Sequence, residues 1–292
     1  MPELPEVETI RLGLEKYLVG HKIKDVEIRV SKLFEGDPKK VIGTRVTGVR
    51  RFGKGLVIDL SNKYSLAIHI KLTGQLVYRD GKTKSLKVSP KVGDSIPNKF
   101  THVIFKLDPP SPRLRRAGKN AFLYYNDRRR FGWIRVVKTD QVSEMPFFKN
   151  LGPEPFKDLT LKLFVKILSR SGTAIKPLLM DQKRIGGIGN IYANDALNLA
   201  KISPKRSGKS LSLPEVKSLF DAILKVMEKG FKYGGASELN FVNVLGLEGE
   251  YQNHSRVYGK KGEKCPNCHS TLRDKPSGSD SKSGGIIQKI FL

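Results

Sequence analysis

The second residue of the chain is a proline, and two glutamates follow it within about one helical turn. A small second residue favours removal of the initiator Met, which leaves Pro2 with a secondary amine at the N-terminus. An α-amino group has a reference pKa of about 8, so a useful fraction is neutral and nucleophilic near neutral pH. Such an amine attacking a sugar C1′ forms an iminium ion, an electron sink for later elimination. Glu3 and Glu6 are the candidate acid–base groups for that chemistry.

The same stretch, MPELPEVET, also fits an ordinary helix start. Proline is tolerated in a first turn because its missing N–H would have no partner there, and acidic side chains interact well with the helix dipole. On these nine residues alone, the structural interpretation is the more common one. If Met1 is retained, Pro2 is an amide and cannot act as a nucleophile.

The elements that must position these residues begin with a helix over 2–18, because its apolar residues recur at helical spacing. Short runs with strand-like alternation and Gly, Asn or Asp punctuation follow, and they predict an antiparallel sandwich or barrel. The runs are KIKDVEIRV, RVTGVRRF, GLVIDL, SLAIHIKL, THVIFKL, AFLYY and WIRVVK. We therefore expect an α+β fold with an N-terminal β-sandwich and flanking helices.

The pattern of the sequence changes near EMPFFKNLGPEPF, a Pro-rich stretch that is followed by segments with helical periodicity. Ser212, Pro214 and Glu215 predict a capped helix start. The stretch RDKPSGSDSKSGG predicts a disordered tail. The expected ranges are a β-sandwich domain over 1–143, a linker over 144–156, a helical domain over 157–252, and a C-terminal segment with its tail over 253–292.

The net charge indicates the class of partner. Lys and Arg number 54 against 28 Asp and Glu, a formal charge of +26. Such an excess predicts a polyanion, since neutralising phosphates releases condensed counterions. The alternative is a chain that is basic for general proteome reasons. No apolar run approaches the roughly 20 residues that cross a bilayer, and no signal peptide is visible, so we expect a cytoplasmic or nucleoid location.

Several motifs occur in a fixed order along the chain. They are PELPEVET at 2–9, RRFGKG at 50–55, IHIKLTG at 68–74, NDRRRFG at 126–132, LGPEP at 151–155, TAIKPLLMDQKRIGGIGNIYA at 173–193, GGAS at 234–237 and VYGKKGEKCPNC at 257–268. Together they resemble the formamidopyrimidine-DNA glycosylase family, bacterial repair enzymes that remove oxidised purines. The resemblance covers nearly the whole chain and implies a helix–two-turn–helix domain at 173–193.

The resemblance implies roles for individual residues. Pro2 is the implied nucleophile and Glu3 the general acid–base, Glu6 lines the pocket, and Lys54 grips phosphates and assists at the sugar. DNA contact is implied for His69, Leu72, Arg129, Phe131, Lys176 and Asn190. Ser237 and Asn240 are the implied partners of the damaged base. GGIGN at 186–190 also predicts a phosphate site from its own residues, because glycines that open a helix expose backbone N–H groups.

Two positions depart from the family pattern. The wedge that fills the space left by a flipped base is Leu72 rather than the usual Met, which keeps the volume but stiffens the side chain. Asp127-Arg128 replaces the usual Asp-Pro.

The family's finger holds one structural zinc with four cysteines, whereas this chain has only Cys265 and Cys268. We therefore expect a half site without stable zinc. Two interpretations stay open, a zincless finger that folds by packing on the helical domain and a corrupted or truncated gene end. In either case Lys275, Lys282 and Lys289 are the candidates for a crude replacement of the finger's DNA contacts.

The resemblance implies a monomeric, bifunctional DNA glycosylase and AP lyase that acts on double-stranded DNA and needs no cofactor for its chemistry. Three alternatives stay open. They are a sister enzyme for oxidised pyrimidines, a non-catalytic protein that binds damaged DNA, and a general basic nucleoid protein. The first would differ in its lesion preference, the second would bind without covalent capture, and the third would show steep salt dependence with no lesion preference.

Overall fold

The computed structural model describes residues 1–108, 120–274 and 288–289. The stretch RDKPSGSDSKSGG at 273–285 was predicted to be disordered, but its first two residues, Arg273 and Asp274, form a short strand. The rest of that stretch, with Lys275 and Lys282, lies outside the described residues. The helices are α1 Leu4–Leu18, α2 Pro146–Lys149, α3 Leu161–Ser169, α4 Ile175–Met180, α5 Asn190–Leu199 and α6 Leu213–Lys232. The strands are β1 Lys22–Ile28, β2 Phe34–Glu35, β3 Val46–Phe52, β4 Gly55–Leu60, β5 Tyr64–His69, β6 Gly74–Arg79, β7 Thr101–Asp108, β8 Ala121–Asp127, β9 Trp133–Lys138, β10 Arg273–Asp274 and β11 Gln288–Lys289.

The first nine strands form two sheets, which confirms the predicted α+β class and decides for the sandwich over the barrel. One sheet has the order β1-β7-β8-β6, and the other has the order β2-β9-β5-β4-β3, antiparallel except for the β2–β9 pair. Alternate residues of both sheets and the apolar side of α1 share one core. This alternation is the pattern on which the strands were predicted, since one sheet face packs inward and the other does not.

The strand prediction differs from the structure in several places. The two-residue strands β2, β10 and β11 were not predicted. The run SLAIHIKL was expected to continue to Leu72, but β5 ends at His69, and the residues that follow form a turn. GQLVYR, which was not predicted, is strand β6 and is buried along its length. Because β6 is covered on both faces, its sequence lacks the alternation of apolar and polar residues that a half-buried strand would show.

The chain divides into two compact units, Met1–Lys149 with Tyr233–Glu250, and Asn150–Lys232 with Tyr251–Leu292. The division falls inside the expected linker at 144–156. The segment 233–250, which the sequence analysis placed with the helical domain, belongs instead to the first unit. It is held there by backbone hydrogen bonds such as the one from Tyr78 N to Val244 O at 2.7 Å.

The second unit is helical, as its periodicity predicts. Helix α6 packs against α3 and α5. Phe164 and Leu168 on α3 and Tyr192 on α5 are buried. The predicted cap of α6 is confirmed, because the Glu215 carboxylate accepts from Ser212 N at 2.8 Å. Within the described ranges, every helix is too short or too polar to cross a bilayer.

Candidate active site and nucleic-acid interface

The two N-terminal glutamates are buried and locked together at the start of α1. Glu3 is the N-cap residue, and its side chain and that of Glu6 form a reciprocal capping box. Glu6 accepts from Glu3 N at 2.7 Å and from Ala236 N at 2.7 Å. Its carboxylate is therefore fixed between the helix start and the 233–250 segment, and both carboxylates are no more than 2% exposed.

Close approach of the 233–250 segment to Glu6 depends on Gly235. Its φ is 84°, in the left-handed region, and an added Cβ would lie 2.8 Å from Glu6 Cγ. Any other residue at position 235 would be strained in its backbone and would collide with the carboxylate side chain. The glycine in GGAS is thus required by the site geometry.

Lys54 lies in the two-residue turn that joins β3 to β4. Phe52 pairs with Gly55, and Gly53 takes the first central position of the turn with φ of 55°, where hairpin turns of this kind need glycine. The Lys54 side chain is buried. Burial lowers the pKa of its ammonium group, while Glu3 and Glu6 act to raise it. The lysine therefore lies within electrostatic range of both carboxylates.

The α-amino group of Met1, next to Pro2, shares this environment. Burial lowers its pKa, Glu3 and Glu6 act in the opposite direction, and Lys54 lowers it further. The lowered pKa increases the neutral, nucleophilic fraction of an amine at this place. Pro2 is itself buried, between the partly exposed Met1 and the capped helix start.

A second contact fixes α1 relative to the turn that carries Lys54. Arg51 on β3 donates to the Glu8 carboxylate at 2.8 Å and to Gly53 O at 3.0 Å. Burial opposes ionisation of Glu8, but hydrogen bonds from Arg11 and Arg51 lower its pKa overall. Arg51 therefore links the helix of Glu3 and Glu6 to the turn of Lys54. Sequence reasoning missed this pair, although a glutamate two residues after Glu6 and the doubled arginine before Gly53 were visible.

Asp127 organises the two loops that carry Leu72, Arg129 and Phe131. Its buried carboxylate accepts from the Thr73 hydroxyl, from Arg129 N at 3.1 Å and from Gly132 N at 2.8 Å. Arg129 N also donates to the Thr73 hydroxyl at 3.0 Å. The turn after β5 and the loop after β8 are therefore joined at one buried acid. The sequence indicated Asp127 only as part of the unusual dipeptide Asp127-Arg128, and its role in joining the two loops was not predicted.

These two loops present the three predicted contact residues outward. Leu72 is partly exposed in the turn between β5 and β6, outside the strand in which a leucine would be a core residue. Phe131 is 51% exposed, and the guanidinium of Arg129 stacks on its ring at 4.7 Å from the centroid. An exposed apolar side chain beside a cation stacked on an aromatic ring is a surface suited to unstacked bases.

His69 is buried rather than exposed to a ligand. Its Nδ1 accepts from Lys71 N at 2.9 Å, and its ring packs edge-on against Phe147 with centroids 4.7 Å apart. Burial, followed by the charges of Lys71 and Lys54, lowers the pKa of His69 to about 3. The imidazole is therefore neutral at physiological pH and supports the turn that follows β5.

In the second unit, the glycine-rich turn before α5 is built as predicted. Gly189 is the N-cap of α5, Asn190 is its first residue, and Gly187 N donates to the Gln182 side chain at 3.0 Å. Lys176, on the short helix α4, is buried rather than displayed as a surface charge. Asn190 Oδ1 accepts from Asn194 at 3.3 Å.

Ser237 and Asn240 both lie in the 233–250 segment, where each makes contacts within the first unit. The buried Ser237 hydroxyl donates to Phe241 O at 2.8 Å and accepts from Gly249 N at 2.8 Å. Asn240 O accepts from the Gln75 side chain at 2.8 Å. The serine hydroxyl is therefore occupied in closing the segment on itself.

The CPNC segment folds as a small hairpin within the second unit. Cys265 N donates to Ser270 O at 2.8 Å, and Lys264 and Thr271 form a bridge. Cys265 is buried and accepts from Asn198 at 3.5 Å, while Cys268 is exposed beside Ser270. Hydrogen bonds from Ser270, then from Cys265, lower the pKa of Cys268.

The donor set does not fit a structural zinc. Tetrahedral zinc needs four ligands, and the sequence contains two cysteines. Among residues 1–108, 120–274 and 288–289, no three His, Cys, Asp or Glu side chains come together in a way that could hold a metal ion. Beyond the hairpin, β10 and β11 pair antiparallel, with Arg273 opposite Lys289.

Comparisons with known proteins agree with this arrangement. The model of the formamidopyrimidine-DNA glycosylase N-terminal domain matches residues 1–134, and the model of the H2TH domain of that enzyme matches residues 151–241. A formamidopyrimidine-DNA glycosylase of Pelotomaculum thermopropionicum is 36% identical over 287 residues, covering 96% of each chain.

Solved structures agree as well. Lactococcus lactis Fpg in complex with DNA that contains N7-benzyl-Fapy-dG has a TM-score of 0.82 at 31% identity, covering 99% of this chain and 98% of that one. The complex of the Lactococcus lactis protein with abasic-site DNA also has a TM-score of 0.82 at 31% identity, over 98% and 97% of the two chains. The chain belongs to the formamidopyrimidine-DNA glycosylase family.

Proposed function

We propose that this protein is a base-excision-repair DNA glycosylase and AP lyase that removes oxidised purines from duplex DNA. Membership of the family supports the activity, and the Lactococcus lactis structures hold damaged or abasic-site DNA. The formal charge of +26 supports a polyanionic partner. The proposed site of action is the nucleoid DNA in the cytoplasm.

The observation that carries the proposal is the environment of the chain's first residues. The α-amino group of Met1, one residue before Pro2, has a lowered pKa and lies within electrostatic range of the buried side chains of Glu3, Glu6 and Lys54. A structural helix start needs one capping acid and no buried lysine. The cluster concentrates a nucleophile, an acid–base pair and a cation in one place.

In the proposed reaction, removal of Met1 unmasks the Pro2 amine, which attacks C1′ of the damaged nucleoside. The N-glycosidic bond breaks and the base leaves with a proton. Glu3 protonates the ring oxygen as the C1′–O4′ bond opens, which leaves an iminium ion on the Pro2 nitrogen. Glu3, again a carboxylate, takes a C2′ proton as the 3′ phosphate leaves, and loss of a further proton expels the 5′ phosphate. Water then hydrolyses the iminium, which releases the sugar fragment and restores the Pro2 amine. Lys54 neutralises the phosphate nearest the sugar.

The remaining proposed residues hold the DNA. Leu72, Arg129 and Phe131 fill the space of the extruded base, while His69 supports the turn of Leu72 from beneath. In the helical unit, Lys176 and Asn190 contribute to a phosphate site at the glycine-rich turn. The Ser237–Asn240 stretch covers the damaged base, with Ser237 closing the stretch. The proposed chemistry needs no redox cofactor and no catalytic metal, since the Pro2 amine provides the attacking electron pair and the carboxylates transfer the protons.

The test is borohydride trapping of the purified protein on a duplex with one 8-oxoguanine opposite cytosine, together with the intact mass of the free protein. The expected result is a covalent protein–DNA band from protein that has lost Met1. No band from protein without Met1 would contradict the proposed chemistry and favour a protein that only binds damaged DNA. A parallel duplex with an oxidised pyrimidine separates the two glycosylase specificities.

Substitution of the nucleophile sharpens the same test. Pro2→Gly keeps an N-terminal amine but makes it primary and flexible, so strand cleavage is expected to fall by about 100-fold or more, the size of a lost positioned nucleophile. Glu15→Gln on the same helix is the matched control, because Glu15 lies three turns from the site. Cleavage by Pro2→Gly at the wild-type rate would remove Pro2 from the mechanism.

A further inference from the structure

One lysine outside every family motif joins both ends of the segment that the proposed function places over the damaged base. We define residues 236–249 as the capping segment and residues 80–100, between β6 and β7, as the β6–β7 loop. Lys91 Nζ of that loop contacts Ser237 O near the start of the capping segment. The same ammonium donates to the Glu248 carboxylate near its end at 2.5 Å.

The backbone of Lys91 is itself fixed from the sheet. Gln75, a buried residue of β6, donates to Lys91 O at 3.1 Å and to Asn240 O at 2.8 Å. A single amide side chain therefore ties the β6–β7 loop and the capping segment to one strand. Because Gln75 lies within a sheet, the two segments are held by the same strand residue.

Other contacts extend the same junction. Ser89 donates from its hydroxyl to Glu248 at 2.5 Å and from its backbone N to Gly246 O at 2.8 Å. Val92 and Val242 pack in one apolar cluster with Val77 of β6. Burial opposes ionisation of Glu248, but hydrogen bonds from Lys91 and Ser89 lower its pKa overall.

From this geometry we propose that Lys91 is a positioning residue that holds the capping segment closed, and that it thereby governs excision of the base and not cleavage at a site that has already lost its base. The inference rests on the proposed function. A segment that covers the base contributes when a base is present and has nothing to hold at an abasic site. Most of the closing energy must therefore appear in the base-excision step.

The experiment compares Lys91→Met with Lys87→Met on two substrates, an 8-oxoguanine duplex and a duplex with a preformed abasic site. Lys87 lies on the same loop, so its substitution removes an equal charge, and it makes no side-chain hydrogen bond or ion pair to the described residues. Excision of 8-oxoguanine by Lys91→Met is expected to fall about fivefold to tenfold, the size of a partly exposed charge-assisted contact. Abasic-site cleavage should stay within about twofold of the wild type, and Lys87→Met should match the wild type on both substrates.

Glu248→Gln provides the coupling test. If Lys91 acts through Glu248, the double variant should excise the base no more slowly than Lys91→Met alone, because contacting residues are not additive. Wild-type excision by Lys91→Met, equal loss on both substrates, or full additivity with Glu248→Gln would each overturn the inference.

Hydrogen exchange of residues 238–247 gives a readout that does not need activity. Lys91→Met should lose protection there while Lys87→Met keeps it, with thermal unfolding showing that both variants fold. If the wild-type protein forms no borohydride adduct, the proposed function fails, and the positioning role of Lys91 is then judged by exchange alone. Unchanged protection in Lys91→Met would overturn it.

Discussion

Asp127 in the first unit and Asp195 in the second are both fully buried, and each holds a loop by accepting several hydrogen bonds. Asp127 joins the two loops that carry Leu72 and Arg129. Asp195 accepts from Arg256 N at 2.9 Å, Val257 N at 3.0 Å, Tyr258 N at 3.3 Å and the Tyr251 hydroxyl at 2.8 Å. The same device therefore appears once in each unit.

The two acids differ in what their loops display. The loops at Asp127 end in exposed side chains, of which Phe131 is 51% exposed. The segment at Asp195 runs into the CPNC hairpin, where Val257, Cys265 and Leu272 form a small apolar cluster. Asn198, one turn after Asp195 on α5, adds contacts to Arg256 at 3.0 Å and to Cys265. The first acid positions a surface, whereas the second anchors a fold.

The contacts of Asp195 explain how the CPNC hairpin can fold although the sequence supplies only half of a metal site. The backbone N–H groups of residues 256–258, which precede the hairpin, donate to the Asp195 carboxylate of α5. The hairpin is further stabilised by the hydrogen bond from Asn198 to Cys265 and by the apolar cluster within it. Stability of this region should depend on Asp195 and not on metal.

The largest expected effect is that of Asp195→Ala. It leaves three backbone donors and the Tyr251 hydroxyl without their acceptor, so the free energy of unfolding should fall by about 3–4 kcal/mol. Urea denaturation checks this, and Asp195→Asn, which keeps one acceptor oxygen, should cost about half as much. A loss below about 1 kcal/mol for Asp195→Ala would show that the anchor lies elsewhere.

Asp127→Ala should lower the free energy of unfolding less than Asp195→Ala does, but it should reduce base excision more. Its donor Arg129 N lies on an exposed loop and can turn to water, so the expected loss of unfolding free energy is about 2 kcal/mol. Base excision should fall by more than about tenfold, because Leu72 and Arg129 lose their common support. Unfolding and excision assays on the same preparation test the pair. Asp127→Ala with wild-type excision would refute the distinction between the two acids.

The two units should also respond to pH with opposite sign. Burial lowers the folded-state pKa of His69 to about 3, so its contribution to stability is present above about pH 6.5 and is lost as the pH falls toward 3. Burial raises the pKa of Asp195 despite its hydrogen bonds. Ionisation of Asp195 therefore costs more in the folded state than in the unfolded state. This one titration lowers the free energy of unfolding as the pH rises from about 3.8 through the folded-state pKa, while the oxygens of Asp195 still accept the hydrogen bonds that anchor the segment.

His69→Asn isolates the first of these effects, because the amide can accept from Lys71 N but does not titrate. The pH dependence of unfolding between pH 5 and 6.5 should flatten by up to about 1.4 kcal/mol per pH unit, the equivalent of one proton. Fluorescence of the single tryptophan, Trp133, whose ring centroid lies 5.9 Å from that of His69, reports this unit. An unchanged slope would mean that the unfolded state does not protonate His69 in this range.

The smallest expected effect is that of metal removal. Chelation with EDTA should leave the melting temperature within about 1 °C, and Cys268→Ser, at an exposed thiol, should do the same. Differential scanning calorimetry before and after dialysis against zinc checks this. A fall of several degrees on chelation would show that metal completes the half site after all.

Much of the fold could be predicted from local signals. Helix α1, the capped start of α6 and most strands follow from periodicity and capping residues. Strand β6 was missed because it is covered on both faces and therefore lacks alternation. The placement of 233–250 in the first unit was missed because the bonds that hold it, such as Glu6 to Ala236 N, join residues far apart in sequence.

The candidate site divides in the same way. The ordered motifs determined the family and the choice of Pro2, Glu3 and Lys54 as proposed catalytic residues, because the proposed chemistry needs an amine, an acid–base group and a cation. Only the tertiary structure decided that His69 and Lys176 are buried and that Asp127, Arg51 and Lys91 hold the site's loops. Burial and pairing are properties of the whole packed chain, since each depends on residues brought together from distant positions. The sequence determines the chemical type of each residue, whereas tertiary packing determines which residues it contacts.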